Sequence, residues 1–220
     1  MLLLCCPTLK RYDLCLNMLR SAYEGTNTPD RYIIVDNGGA FSSVLEEAEL
    51  PIDIDLIVPD TNIGVASSWN VFLSCMFPDD VCLIVNDDVA FHEDTIKKLY
   101  NAYLDNPNEL IYVTENSGLN AFSCFLITPK AVNIVGYFDE QFFPAYFEDG
   151  DYAYRLRLTG HDLIRVPCTI REHTGSATIK AYSSQEMQKH HEQFRANEVR
   201  YIRKWGGLPS SETFKTAFNQ

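Results

Sequence analysis

The chain has 220 residues, of which 46% are hydrophobic and 22% are charged, an ordinary composition for a folded protein with a sizeable core. Its formal net charge of −12 makes nucleic acid and anionic membrane surfaces unfavourable partners, whereas a small anionic ligand remains compatible if a metal supplies positive charge. The seven cysteines show no CxxC spacing and no apolar run reaches the roughly 18 residues of a membrane span, so we expect a cytoplasmic chain with reduced thiols, no zinc site and no transmembrane segment.

Four repeats of a strand followed by a helix are predicted in the first half of the chain. The opening MLLLCC lacks a basic region, so we interpret it as a first strand rather than a signal peptide. The predicted strands cover residues 1–6, 32–35, 54–58 and 81–85. Apolar residues at helical spacing predict helices over residues 9–23, 44–50, 65–76 and 96–104. This alternation predicts an α/β fold with a parallel sheet and right-handed crossovers, whose ligands bind outside the carboxyl ends of the strands.

The second half has a less regular pattern. Strands are predicted over residues 111–113, 122–128 and 163–166, with a polar segment at 115–120 and an aromatic-rich stretch at 137–147. Helices are predicted over residues 151–158 and 184–205, the longer one ending at Gly206-Gly207. Because the chain has no linker, low-complexity segment or internal repeat, we expect a single domain over residues 1–220.

An acidic motif follows the fourth predicted strand, where Asn86, Asp87 and Asp88 come directly after an apolar run. Two adjacent carboxylates at the end of a buried strand repel each other and resist desolvation. A cation between them and another anion would relieve this cost, and oxygen ligands favour Mg²⁺ or Mn²⁺, which usually take further ligands from substrate phosphates. The alternative is a solvated Asp-Asp turn that caps the following helix, and this stretch alone does not decide between the two.

Seven motifs, in this order and spacing, together resemble glycosyltransferase family 2. They are CCPTLKR, IIVDNGG, NIGVASSWN, IVNDDV, FFPAYFEDGDYAYRLRLTGH, HTGS and RANEVRYIRKWGG. The resemblance covers nearly the whole chain and implies the GT-A fold, a Rossmann-like, mostly parallel central sheet flanked by helices. Asn86 stands where the family frequently has Asp, which leaves open which of the two remaining carboxylates contacts a metal.

The function implied by the resemblance is that of an inverting, metal-dependent glycosyltransferase of the hexosyltransferase type, acting in glycan biosynthesis. It would move a sugar from a nucleoside-diphosphate sugar, with UDP favoured, to a hydroxyl of a glycan acceptor. About residues 1–110 would bind the donor and about residues 111–220 would form the acceptor side. We expect a cytoplasmic protein, peripheral to a membrane where a membrane carries the acceptor.

The resemblance assigns donor contacts to residues at the predicted strand ends. Asp36 would hydrogen-bond the nucleobase, flanked by the backbone of Pro7 and Thr8, and a carboxylate that accepts from a pyrimidine N–H favours uracil or thymine. The alternative is that Asp36 caps the DNGG turn. Asn62, Gly64 and Asn70 would shape a loop against the ribose or sugar, and the alternative is that they act only as loop and cap residues. Asn86 and Asp87 complete the expected donor-side residues.

The resemblance also implies the metal ligands. Asp88 would bind Mn²⁺ or Mg²⁺ directly, with Asp87 contacting the ribose or a metal-bound water, and the ion would stabilise the departing nucleoside diphosphate. His173, in the sequence EHTG, would complete the metal shell. A lone histidine is also often a structural residue, and this alternative stays open.

The resemblance further implies that Asp149 is the general base that removes the proton of the acceptor hydroxyl. Glu148 and Asp151 lie close enough in sequence to raise the pKa of its carboxyl towards neutrality. The alternative is that these acidic residues only cap the helix that they precede. Arg155 would hold Asp151 as an (i, i+4) partner, a structural role.

Six aromatic residues between 137 and 147 could form the floor of an acceptor site, although core packing is the expected role of most: Tyr137, Phe138, Phe142, Phe143, Tyr146 and Phe147. His190 and His191 are interpreted as surface or packing residues. Two other functions remain as alternatives. A sugar-phosphate nucleotidyltransferase should have a Gly-rich loop where this chain has CCPTLKR, and a non-catalytic sugar-nucleotide or glycan-binding module would not need both carboxylate pairs.

Overall fold

The computed structural model describes residues 1–115, 121–175 and 177–220. Residues 116–120 of the predicted polar segment and Ser176 of the HTGS motif lie outside this description. The strands are β1 (Leu2–Thr8), β2 (Arg31–Asp36), β3 (Ile54–Ile57), β4 (Val81–Val85), β5 (Val89–Phe91), β6 (Ile111–Thr114), β7 (Cys124–Ile127), β8 (Ile164–Val166) and β9 (Ile170–His173). The helices are α1 (Tyr12–Tyr23), α2 (Phe41–Ala48), α3 (Gly64–Ser74), α4 (Thr95–Asp105), α5 (Pro129–Val135), α6 (Glu148–Leu158), α7 (Ala177–Lys180) and α8 (Ser184–Trp205).

The main sheet has seven strands in the order β3-β2-β1-β4-β7-β6-β8. The first four strands in the chain pair in parallel, as predicted, so that their carboxyl ends lie at one edge, with Thr8 beside Asp36. β1 continues through Pro7, where the sequence predicted its end, because β4 pairs only as far as Cys5 and a proline without its N–H is tolerated beyond that point. β7 then runs antiparallel between β4 and β6.

A second, two-stranded sheet pairs β5 with β9 in antiparallel fashion. Neither strand was predicted, because runs of three or four residues carry too little periodicity to be recognised. The pairing sets Val89 opposite His173, and therefore brings His173 to the acidic motif that precedes Val89. Two distant parts of the sequence are joined by this contact.

The core lies on both faces of the main sheet. Alternate residues of β1 enter opposite apolar clusters, Leu2 and Leu4 on one face and Leu3 and Cys5 on the other. Both faces are covered by helices, which is the reason why these strands read as continuous apolar runs. All seven cysteines are free, and all except Cys75 are buried. Within the described residues, no helix has both the length and the apolarity to cross a membrane.

A buried ionic network fixes α8 against α6. The carboxylate of Asp151 is fully buried and accepts hydrogen bonds from Arg155 Nε at 2.8 Å and from Trp205 Nε1 at 2.8 Å. Lys204 Nζ lies 2.5 Å from the same carboxylate. The predicted (i, i+4) pair of Asp151 and Arg155 is therefore present, and it belongs to a larger network. α6 begins at Glu148, three residues earlier than predicted, so the acidic residues 148–151 form its first turn.

We predict that Asp151→Ala lowers the free energy of unfolding by about 3–5 kcal/mol, because it removes a fully buried carboxylate that pairs with Arg155 and Lys204 and accepts from Trp205. Lys204 would keep its second partner, Asp139. Urea denaturation followed by circular dichroism measures this loss. Asp105→Ala, at an exposed position at the end of α4, serves as the control and should change stability by no more than about 0.5 kcal/mol. Equal midpoints for the two variants would contradict the structural role of Asp151.

Candidate functional site

A cavity of about 250 Å³ opens at the carboxyl ends of β1, β2 and β4. This is the edge of a parallel sheet at which ligands bind. Residues from both halves of the chain line it, including Pro7, Thr8, Asn37, Asn62, Gly64, Trp69, Asn86, Asp87, Asp88, Phe122, Tyr146, Glu148, Asp149, His173, Tyr182 and His190. The two predicted acidic sites, about sixty residues apart in the sequence, thus face one space.

Asp87 is bound to the neighbouring strand end. Its Oδ2 accepts a hydrogen bond from Thr8 Oγ1 at 2.9 Å, across the parallel pair of β1 and β4. Burial raises the pKa of Asp87 to about 7, the hydrogen bond from Thr8 opposes this shift, and the charge of Asp88 adds to it. Among the described residues that line the cavity there is no Lys or Arg. Within the described lining, no lysine or arginine therefore offsets the charge of the carboxylates.

Asp88 and His173 meet through the small β5–β9 sheet. His173 Nε2 lies 3.4 Å from Asp88 Oδ1, and the Asp88 carbonyl accepts from the Thr174 N–H at 3.3 Å. One carboxylate and one imidazole can offer two ligands to a divalent cation. No group of three or more His, Cys, Asp and Glu side chains in the described ranges could hold a metal by itself. A bound ion would thus need oxygens of a substrate or of water, which suits Mg²⁺ or Mn²⁺.

The first turn of α6 places Glu148 and Asp149 in the cavity. Burial raises the pKa of Asp149, although its Oδ1 accepts the Gly150 N–H at 2.7 Å, which favours the charged form. Glu148 is buried, and burial, followed by the charge of Asp149, raises its pKa well above the ordinary value. Its Oε2 has no hydrogen-bond partner within the described part of the chain. Two adjacent carboxyls with raised pKa values suit proton transfer.

Asp36 does not line the cavity. Its carboxylate is fully buried and accepts from the N–H groups of Gly38 at 3.0 Å and Phe41 at 2.7 Å, and from the Tyr12 hydroxyl at 2.9 Å. The geometry therefore supports the turn-capping alternative for this residue. The neighbouring Asn37, which the sequence did not single out, lines the cavity instead.

The loop before α3 is built by Asn62 and Gly64, which both line the cavity. Asn62 Oδ1 accepts the Gly64 N–H at 2.8 Å, and the Val65 N–H binds the Pro144 carbonyl at 2.8 Å. Asn70 lies outside the cavity, with its side-chain amide bonded to both backbone groups of Phe138. Its contacts are structural and join α3 to the aromatic-rich stretch.

The remaining predicted residues divide between the core and the cavity. Asp151 and Arg155 lie outside the cavity in the α6–α8 network, and Phe138 and Phe142 are core residues. Tyr146 lines the cavity, as do four residues that the sequence did not assign to it: Trp69, Phe122, Tyr182 and His190. Their helical or loop positions carry no sequence signal for a site, because only the packing of distant segments brings them there.

The family model described as Glycosyl transferase family 2 matches residues 4–118. No curated protein matches the sequence. Among solved structures, the chain is similar to TarS from S. aureus in the form 1–349, with a TM-score of 0.60 and 13% identity over 92% of this chain and 72% of that one.

Two further solved structures are similar. The mannosyltransferase PcManGT from Pyrobaculum calidifontis, in complex with GDP-Man and Mn²⁺, has a TM-score of 0.63 and 15% identity over 90% of this chain and 64% of that one. A longer form of S. aureus TarS has a TM-score of 0.61 and 14% identity over 91% of this chain and 43% of that one. The chain thus spans less than two thirds of PcManGT and less than half of the longer TarS chain.

We predict that Gly64→Ala destabilises the protein more than Gly160→Ala. Both glycines have a positive φ, +80° and +83°, and share a cost of about 1–2 kcal/mol for a side chain there. A Cβ at position 64 would also lie 2.8 Å from the Pro144 carbonyl oxygen, whereas one at 160 meets nothing within 4 Å. The free energies of unfolding of the two variants, measured by urea denaturation, should differ by roughly 1–3 kcal/mol. Equal losses of stability in the two variants would show that the loop before α3 accommodates the added Cβ at no cost in free energy.

Proposed function

Since the chain belongs to glycosyltransferase family 2 and has the GT-A fold, we propose that it transfers one sugar, with inversion, from a nucleoside-diphosphate sugar to a hydroxyl of a glycan acceptor. The observation that carries this proposal is the meeting of two carboxylate pairs in one cavity, Asp87-Asp88 and Glu148-Asp149. One pair can hold a cation beside the donor, and the other can remove a proton from the acceptor.

The nucleotide end of the donor lies, in this proposal, against Pro7, Thr8 and Asn37. Asn37 replaces Asp36 as the residue for the nucleobase, because only Asn37 lines the cavity. Its amide is fixed on both sides, donating to Ser68 Oγ at 3.0 Å and accepting the Ile63 N–H at 2.9 Å. An amide keeps one donor and one acceptor position available, so it can pair with more than one base edge. The preference for uracil predicted from Asp36 therefore loses its basis, and the panel of donors described below identifies the base.

The cation, Mn²⁺ or Mg²⁺, would be held by Asp88 and His173, with the diphosphate and water as the remaining ligands. When bound, it supplies the positive charge that the leaving nucleoside diphosphate requires. Asp87 remains with Thr8 and orients the end of β4. The proposal is supported by PcManGT, a protein of similar fold that is in complex with GDP-Man and Mn²⁺.

Asp149 is the proposed base. As the acceptor oxygen forms its bond to the anomeric carbon, the proton of the hydroxyl passes to the Asp149 carboxylate, and the bond to the diphosphate oxygen breaks with its electron pair. A single displacement of this kind inverts the anomeric centre. Burial, which raises the pKa of Asp149, makes it a better proton acceptor than a solvated aspartate.

The donor is tested with a panel of UDP-, dTDP- and GDP-sugars in the presence of Mn²⁺. We expect one donor to raise the melting temperature and to release its nucleoside diphosphate slowly. Asp88→Ala should abolish most of the Mn²⁺-dependent stabilisation by that donor, because it removes the proposed carboxylate ligand, and Asp105→Ala should retain it. Stabilisation without any release would favour a binding module, and unchanged Mn²⁺ dependence in Asp88→Ala would contradict its role as ligand.

Asp149→Asn should lower the transfer rate by roughly 10²–10⁴-fold while donor binding changes little, because an amide cannot accept the proton. In the wild type, activity should fall as the pH drops through the raised pKa of Asp149, above the ordinary aspartate value of about 3.9. Nucleoside-diphosphate release across a pH series measures both effects. Near-normal turnover of Asp149→Asn would show that another group is the base.

A further inference from the structure

Three aromatic rings from separate segments form one edge of the cavity, which we call the aromatic edge: Tyr146, Tyr182 and His190. The ring centroids of Tyr146 and His190 are 5.4 Å apart, and those of Tyr182 and His190 are 5.9 Å apart. All three side chains are partly exposed, unlike the core residues Phe138 and Phe142. Rings that keep free surface towards a cavity are available for a ligand.

The segments that carry these rings are held firmly. Asn197, buried on α8, donates to the carbonyl oxygen of Ala145 at 2.9 Å and so joins the Tyr146 segment to the helix that carries His190. Tyr146 itself has a φ of +76°, a conformation that a non-glycine residue keeps only when its surroundings enforce it. On the other side, Lys10 Nζ lies 5.1 Å from the ring centroid of Tyr182. The aromatic edge is thus a preorganised surface.

The aromatic edge adjoins the proposed base. Tyr146 is three residues before Asp149, and both line the cavity. The residues proposed for the nucleotide, Pro7, Thr8 and Asn37, come instead from the ends of β1 and β2. A molecule on the aromatic edge would therefore present a hydroxyl to Asp149.

The charges of the cavity select what this molecule can be. Four carboxyl groups line the cavity, those of Asp87, Asp88, Glu148 and Asp149, and the described lining contains no Lys or Arg. Lys10, the cation beside Tyr182, is already paired with Glu186. A uronic acid or a phosphorylated sugar would meet like charge without a partner. An uncharged sugar can instead lay its C–H face on the negative faces of the aromatic rings.

From these observations, and resting on the proposed function, we propose that the aromatic edge is the acceptor subsite and that it takes an uncharged sugar ring. The same rings could in principle stack on a nucleobase. The test therefore has to separate an effect on the acceptor from an effect on the donor.

The first experiment is saturation-transfer NMR with Mn²⁺ and the nucleoside diphosphate that the donor panel selects. The probes are the methyl glycosides of glucose, galactose, mannose and N-acetylglucosamine, compared with methyl glucuronide and glucose 6-phosphate. We expect binding of at least one neutral glycoside and none of the anionic probes. Equal binding of the anionic probes, or no binding of any neutral glycoside, would overturn the proposal.

The second experiment measures transfer to the best neutral glycoside. Tyr182→Ala and His190→Ala should each raise the acceptor KM about 3–10-fold, and more than they raise the donor KM, as expected for the loss of one aromatic contact. Tyr137→Ala, at an exposed ring that does not line the cavity, is the matched control and should leave both constants unchanged. A larger effect on the donor KM would assign the rings to the nucleotide. If no donor in the panel is turned over, the proposed function fails by itself, whereas turnover with an unchanged acceptor KM rejects only the acceptor subsite.

Discussion

Asp87 and Asp88 lie at the carboxyl end of β4, a strand that is buried on both faces, and their carboxylates are themselves nearly inaccessible to solvent. Burial raises the pKa of Asp87 to about 7, which expresses the free energy needed to keep a charge at this place. Two more carboxyl groups, from Glu148 and Asp149, share the cavity. The described lining residues include neither Lys nor Arg, so the site favours a ligand that brings positive charge with it. In the proposed function, a divalent cation meets this constraint and binds the anionic donor to the acidic site.

Parallel strand pairing brings polar residues from different strands together at one edge of the sheet, where the proposed cation site lies. Each parallel strand sends its carboxyl end to the same edge, so Thr8 at the end of β1 can bind Asp87 beyond β4. The β5–β9 sheet adds His173 from the far end of the chain. Neither contact requires a long loop to be ordered by itself, because the sheets have already fixed the backbone on both sides. The proposed cation site is therefore set by the sheets.

The proposed acceptor side depends on a different contact, the packing of α8 against α6. Asp151, fully buried between Arg155, Lys204 and Trp205, holds the first turn of α6 and with it the proposed base, Asp149. α8, on the other side of this network, carries His190 to the cavity. A single buried carboxylate thus links the position of the base to that of the aromatic edge, although it touches neither. Its role is to hold α6, which carries the proposed base, and α8, which carries His190, in a fixed position relative to each other.

The sequence alone was sufficient for the elements with strong patterns: β4 and α8 begin and end where predicted, and the parallel order of the first four strands follows from their alternation with helices. It also pointed to both carboxylate pairs, Asp87-Asp88 from two acidic residues after an apolar run together with the family resemblance, and Glu148-Asp149 from the resemblance. Tertiary structure decided which of Asp36 and Asn37 faces the cavity, since neighbouring residues at a strand end point in different directions and both types are common in turns. It also decided that His190 and Tyr182 belong to the site, because the packing of segments far apart in the chain has no local pattern from which it could be read.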